Sequence, residues 1–135
     1  ALPIAVQAFQ PPVPPCARCP FTWIGYRGKC YHFSGAEGNW TAGRDNCSAL
    51  GASLAAFDGV EELSFLLRHQ GSSEHWVGLW RPDEQQPWQW VNGSRWPAPF
   101  GVGGGGPCAY VTASGLGSSR CSAERSWVCT KAEGP

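Results

Sequence analysis

The sequence predicts an α+β domain closed by disulfides, and three observations carry that prediction. Strand-like runs occupy both ends of the folded region, two helical stretches lie between them, and seven cysteines are spread over 135 residues of zero formal net charge. The length suits one domain with a short tail, burying about two-thirds of its unfolded surface. Zinc sites need two close cysteine pairs, or one pair followed by a histidine pair. Here only Cys16 and Cys19 lie close together, and Cys121 and Cys129 are too far apart for a second knuckle. Oxidised cysteines of a secretory compartment are the expected state.

The elements follow in order. Residues 1–18 contain Pro3, Pro11, Pro12, Pro14 and Pro15 and few charges, which predicts an extended, polyproline-like stalk. The folded domain is expected over residues 19–131, with 132–135 a C-terminal tail. Residues 21–26 and 29–34 predict two short strands around a turn at Gly25 to Gly28. Thr41 is the expected N-cap of a helix that runs to Leu50 and stops at Gly51, with Gly43, Cys47 and Leu50 on one face. A second helix opens on the capping box Asp58 and Glu61, carries Leu63, Leu66 and Leu67 as its stripe, and ends in Arg68, His69 and Gly71. Residues 75–81 predict a strand. Residues 88–91 and 94–96 predict a hairpin across the type I′ signal Asn92-Gly93. Residues 97–107, rich in Pro and Gly, predict a loop, and residues 108–112 and 126–131 the closing strands.

Several function classes are excluded by the same reading. With ten basic and ten acidic residues there is no basic stripe for nucleic acid and no polybasic run for an anionic membrane. No stretch approaches the ~20 apolar residues of a membrane span, and Ala1 to Val6 is too short for a signal peptide, so any anchor is expected outside this sequence. The run from Gly101 to Gly106 satisfies a dinucleotide fingerprint literally, but it lies between prolines and leads into a strand rather than a helix. Cys16 and Cys19 have redox spacing without the helix that lowers a thiol pKa. His32, His69 and His75 are expected to be surface or strand-end residues, with no nucleophile held by a base. No enzyme activity, catalytic residue, metal ligand or cofactor is therefore expected. Eight tryptophans is a high count; most are expected in the core, and the remaining one or two to face a partner. Sequons fall at Asn39, Asn46 and Asn92. Asn39 in a loop and Asn92 at a hairpin tip are the expected glycosylation sites; Asn46, inside a helix, is not.

The order Cys19-Pro20, Trp23, Cys30, Trp40, Cys47, Trp76-Val77-Gly78-Leu79, Trp88-x-Trp90, Cys108, Cys121 and Trp127-Val128-Cys129 resembles the C-type-lectin-like fold over nearly the whole folded chain. Residues 65–71, 74–79 and 87–93 narrow the resemblance to the natural-killer-receptor-like branch. There it is similar to the group of osteoclast inhibitory lectin, lectin-like transcript and the lymphocyte early activation antigen. The resemblance implies two helices with two small antiparallel sheets, a long loop and three intradomain disulfides. Six cysteines alone allow fifteen pairings. The resemblance implies Cys19 with Cys30, Cys47 with Cys129, and Cys108 with Cys121, leaving Cys16 in the stalk for an interchain bridge.

Sugar-binding members of that fold hold calcium through a Glu-Pro-Asn or Gln-Pro-Asp stretch in the long loop and a Trp-Asn-Asp triplet before the next-to-last cysteine. Here the loop begins Pro97-Ala98-Pro99-Phe100, the triplet positions hold Leu116, Gly117 and Ser118, and no Asp or Glu occurs between Glu84 and Glu124. Calcium needs six to eight hard oxygens, so calcium-dependent sugar binding is not expected. The resemblance implies a cell-surface homodimer, the extracellular part of a single-pass type II membrane protein. Its expected partner is a receptor or ligand of the same fold on another cell, of the NKR-P1-like natural killer type. Trp80, Arg81, Arg95, Trp96 and Phe100 form the expected partner-binding patch. An atypical, calcium-independent carbohydrate-binding lectin is the alternative.

Overall fold

The first hairpin starts from a constrained turn. The structure, a computed structural model, describes residues 19–57, 59–70, 73–83, 85–93 and 102–133. The Trp23 amide donates to the Pro20 carbonyl at 3.0 Å, and Thr22 sits at φ 76°. A β-branched residue seldom enters that region. This turn consumes the start of the expected first strand, so β1 is only Ile24–Tyr26 and pairs with β2, Lys29–Phe33. Arg27 and Gly28, at φ 52° and 84°, form the two-residue connection whose twist suits a hairpin.

Helix α1 spans Trp40–Ala49, and its N-cap is Asn39 rather than Thr41. The Asn39 Oδ1 accepts from the Ala42 amide at 2.7 Å. Trp40 is already helical, and its indole N–H donates to the Val77 carbonyl at 2.9 Å. The buried face is Trp40, Gly43 and Cys47; Leu50, expected on it, is the C-cap and 49% exposed. A Cβ at Gly43 would stand 3.1 Å from Trp127, so the helix lies directly on that indole.

After β3 (Ser53–Leu54) comes α2, Val60–Gln70. The expected stripe is present but broader than Leu63, Leu66 and Leu67. Phe65 is buried too, stacked on Tyr26 at 4.3 Å between centroids. Buried Glu62 reaches Lys29 Nζ at 3.6 Å. Asp58 and Gly71 lie outside the described residues.

Strands β4 (His75–Trp80), β5 (Gln89–Trp90), β6 (Cys108–Thr112), β7 (Gly115–Ser119) and β8 (Ser126–Ala132) complete the fold. Strand β5 pairs with β4, and at the turn where the Asn92-Gly93 hairpin was expected the Gly93 amide closes on the Trp90 carbonyl at 2.9 Å with Gly93 at φ 90°. Residues 94–96 lie outside the described residues. β7 was not expected, because Gly-Leu-Gly-Ser-Ser carries little strand propensity; its register against β6 supplies it.

Two antiparallel sheets meet along β8. It pairs antiparallel with β2 and β3, and parallel with β4 at His75↔Ser126 and Trp76↔Trp127. One core cluster gathers Tyr31, Phe57, Leu66, Val77, Leu79 and Trp90. The other gathers Trp40, Leu54, Trp76, Trp127 and the Cys47–Cys129 and Cys108–Cys121 bridges. Cys19–Cys30 ties the first turn to β2. Cys47–Cys129, separated by 82 residues, joins α1 to β8. In the chain-entropy model a loop of that length is worth about 4.5 kcal/mol. Cys16 lies outside the described residues.

His75, expected at the surface or at a strand end, does begin β4, but it is buried. It is 5% exposed, with Nδ1 3.2 Å from Gln70 Oε1 and its ring edge-on to Phe33. Burial pushes its pKa below 6.5, and a hydrogen bond with the Ser73 backbone opposes that in part. The folded state thus holds His75 neutral while the unfolded chain takes a proton, so stability is complete above pH 6.5 and falls as pH drops towards the folded pKa. Urea unfolding at pH 7.5 and 5.5 is expected to show a smaller loss on acidification for His75→Gln than for wild type. Equal losses would remove His75 as the source.

Candidate partner-binding surface

The C-terminal end of β4 builds the surface. Its middle leaves no room for a side chain: a Cβ at Gly78 would stand 2.7 Å from the Leu54 carbonyl and 2.8 Å from Val91 Cγ2. The Gly78 amide donates to the Ala55 carbonyl, and its own carbonyl accepts from Val91, each at 2.8 Å. Clamped there, β4 emerges at a fixed angle.

Trp80 lies at a register shift between β4 and β6, opposite Gln89 and Cys108. It is half-buried rather than fully solvent-facing, with its ring centroid 6.4 Å from that of Trp40. Trp40, Arg44, Trp80 and Val91 line an opening of about 250 Å³. Arg81 follows just past the strand. Its amide donates to the Pro107 carbonyl at 2.9 Å, and its guanidinium carbon stands 4.2 Å from the Trp88 ring centroid. Its Nε is buried with no hydrogen-bond partner among the described residues. Of the five residues expected in the patch, the structure places Trp80 and Arg81 side by side. Arg95, Trp96 and Phe100 lie outside the described residues.

Sequence reasoning missed Trp40, Arg44 and Trp88. Arg44 stands four residues after Trp40, a spacing that puts both on one helix face and could have flagged the pair. Trp88 becomes Arg81's platform only through the Trp80↔Gln89 register.

Leu116 and Ser118, two of the three positions that the resemblance matches to the acidic triplet, are bonded to the end of the long loop. The Gly103 amide donates to the Leu116 carbonyl at 3.0 Å. The Ser118 hydroxyl donates to the Gly103 carbonyl at 2.8 Å and accepts from the Gly106 amide at 3.3 Å. The end of the long loop thus lies against β7, with a Val102↔Leu116 bridge. Glycine is required: a Cβ at Gly106 would fall 2.1 Å from the Ser119 carbonyl carbon. The loop was expected to hold no regular structure, and this end of it is nonetheless tied down.

All three sequon asparagines are exposed. The Asn46 Nδ2 donates to the Ala42 carbonyl at 2.8 Å, one turn back in α1. Among the described residues no group of three or more His, Cys, Asp or Glu side chains could hold a metal ion. Nor is any helix among them long and apolar enough to cross a membrane.

These features belong to a C-type-lectin-like recognition domain. The Lectin C-type domain family matches residues 36–131, and the chain belongs to that family. It is 44% identical over 117 residues to human C-type lectin domain family 2 member D, covering 87% of this chain and 61% of that protein. It is 42% identical over 113 residues to human member B of the same family, covering 84% of this chain and 75% of that protein. Mouse member H is 41% identical over 118 residues, with 87% and 54% covered. In fold it is similar to the mouse scavenger receptor C-type lectin carbohydrate-recognition domain. That match has a TM-score of 0.77 at 23% identity, covering 87% of this chain and 98% of that one.

Gly106→Ala is expected to cost more than about 2 kcal/mol, because the new methyl group overlaps β7 backbone. Ser118→Ala, which loses two hydrogen bonds without a clash, is expected to cost about 1 kcal/mol. Chemical denaturation of both variants checks the order; Gly106→Ala as stable as wild type would show that the loop does not close on β7.

Proposed function

We propose that this chain is the extracellular protein-recognition domain of a type II membrane immune receptor or ligand, one that engages NKR-P1-like natural killer receptors without calcium. The observation that carries the reading is the seating of Gly103 and Gly106 on Ser118. Backbone and one hydroxyl lie at positions that the resemblance matches to the acidic triplet, and no carboxylate follows in sequence until Glu124. Likeness to C-type lectin domain family 2 members supports the immune context. A half-buried indole beside a stacked arginine is the composition of a protein hot spot.

The same reading makes the molecule a homodimer bridged through Cys16 and glycosylated at Asn39 and Asn92. The carbohydrate alternative is favoured by one feature, the opening between Trp40 and Trp80, whose indole faces could stack on a sugar ring. A glycan array in chelator separates the two readings: the protein-recognition reading expects a blank array.

Surface plasmon resonance against immobilised natural killer receptor ectodomains, with EDTA throughout, is the direct test. At least one receptor is expected to bind wild type, and Trp80→Ser to weaken it on the order of tenfold or more while leaving the unfolding midpoint nearly unchanged. Undiminished binding by Trp80→Ser would remove Trp80 from the contact. On non-reducing electrophoresis the chain is expected to run as a dimer that Cys16→Ser converts to monomer; a wild-type monomer would contradict the bridge.

A further inference from the structure

We infer that Arg81 is the carboxylate-binding point of this surface: its guanidinium, held against Trp88, takes an Asp or Glu side chain of the partner protein. The inference rests on the protein-recognition reading and adds the chemistry of the contact.

Two stacked arginines in the same domain make the contrast. Arg125 lies over Tyr110 at 3.7 Å and Trp76 at 4.7 Å. It is fully engaged, with Nε on Glu74 Oε1 and Nη1 on Ser119 Oγ, each at 2.9 Å. It is a structural cation. Arg81 stacks on Trp88 in the same manner, yet it forms no ion pair among the described residues and its Nε is buried without an acceptor. A buried donor left unsatisfied is costly. Arg44, the other cation of the surface, is paired with its neighbour Asp45 at 3.3 Å.

Among the described residues no acid pairs with Arg81. The Asp83 carboxylate accepts from the Gln85 amide at 2.8 Å, within its own turn; Glu84 lies outside the described residues. From Gln85 to Ala123 the sequence holds Arg95 and Arg120 and no acidic residue. Beyond Asp83 and Glu84, the sequence that follows Arg81 is thus uncharged or positive as far as Ala123, which suits an acidic partner. Stacking has already restricted the guanidinium plane, so less rotamer freedom is lost when a carboxylate docks on its outer edge. The resulting bond is charge-assisted and directional.

Two measurements test this. In the first, the arginine side-chain signals of ¹⁵N-labelled protein are followed by NMR while a hexaglutamate peptide is added, with hexaglutamine as control. The Arg81 signal is expected to shift saturably with hexaglutamate alone, and further than that of Arg68, an exposed arginine at the end of α2. An Arg81 shift no larger than that of Arg68 would overturn the inference. In the second, Arg81→Gln and Arg81→Lys are compared on whichever receptor wild type binds. Arg81→Gln is expected to weaken binding roughly tenfold, with Arg81→Lys recovering only part, because an ammonium lacks the planar fork. Full affinity in Arg81→Gln alongside lost affinity in Trp80→Ser would refute the Arg81 contact while leaving the protein-recognition reading intact. If no receptor binds wild type, that reading fails and the peptide titration alone decides the chemistry.

Discussion

Strand β8 must satisfy β2, β3 and β4 at once, and everything else in the domain is arranged around that demand. It runs antiparallel to β2 and β3 and parallel to β4, so the two sheets share one continuous strand. Its side chains divide the interior. Val128 enters one core cluster, while Trp127 and Cys129 enter the other. The bridge from Cys129 to Cys47 then fixes α1, whose Gly43 lets the helix rest on Trp127. Losing any one of these contacts would loosen the other two, since they share the same few residues.

The proposed partner surface inherits its rigidity from that seam. β4 is held on one side by β8 and at Gly78 by the Ala55 and Val91 backbones, so Trp80 and Arg81 leave the sheet in set directions. Trp80 leans towards Trp40, which is itself anchored by a hydrogen bond to the Val77 carbonyl. Arg81 turns to Trp88 and the Pro107 carbonyl. A surface placed on strand ends suffers less ordering cost on association than one built from loose loops. On the neighbouring edge the β6–β7 ladder carries the glycine loop, where a cation-binding lectin would present acidic side chains.

Legibility in the sequence followed the range of the interactions. Helix α2 is legible because its stripe and terminal charges are local, whereas the burial of Phe65 depends on Tyr26 and Tyr31 closing over it from β1 and β2. The start of α1 was misplaced by two residues because Asn39 and Thr41 are both good caps, and only the burial of Trp40 decides between them. His75 does stand at a strand end, but nothing in its sequence neighbours reveals that Gln70 and Phe33 cover it. β7 was invisible because its five residues, two of them glycine, form a strand only by lying along β6. The cysteine pairing was legible through resemblance rather than arithmetic. Of the site, Trp80 and Arg81 could be picked from the run that follows Gly78-Leu79, whereas the Trp88 platform depends on a strand register that no local pattern encodes.

The proposed function requires a fold tip that recognises protein without an ion. Thermal unfolding of the disulfide-intact domain across a calcium series from chelator to 10 mM addresses it most directly, because a ligand that binds only the native state must raise the midpoint as its concentration passes its Kd. The midpoint is expected to stay constant across the series. A midpoint that climbs with calcium, and returns on adding chelator, would mean that the domain holds the ion and that its recognition chemistry is that of a calcium-dependent lectin.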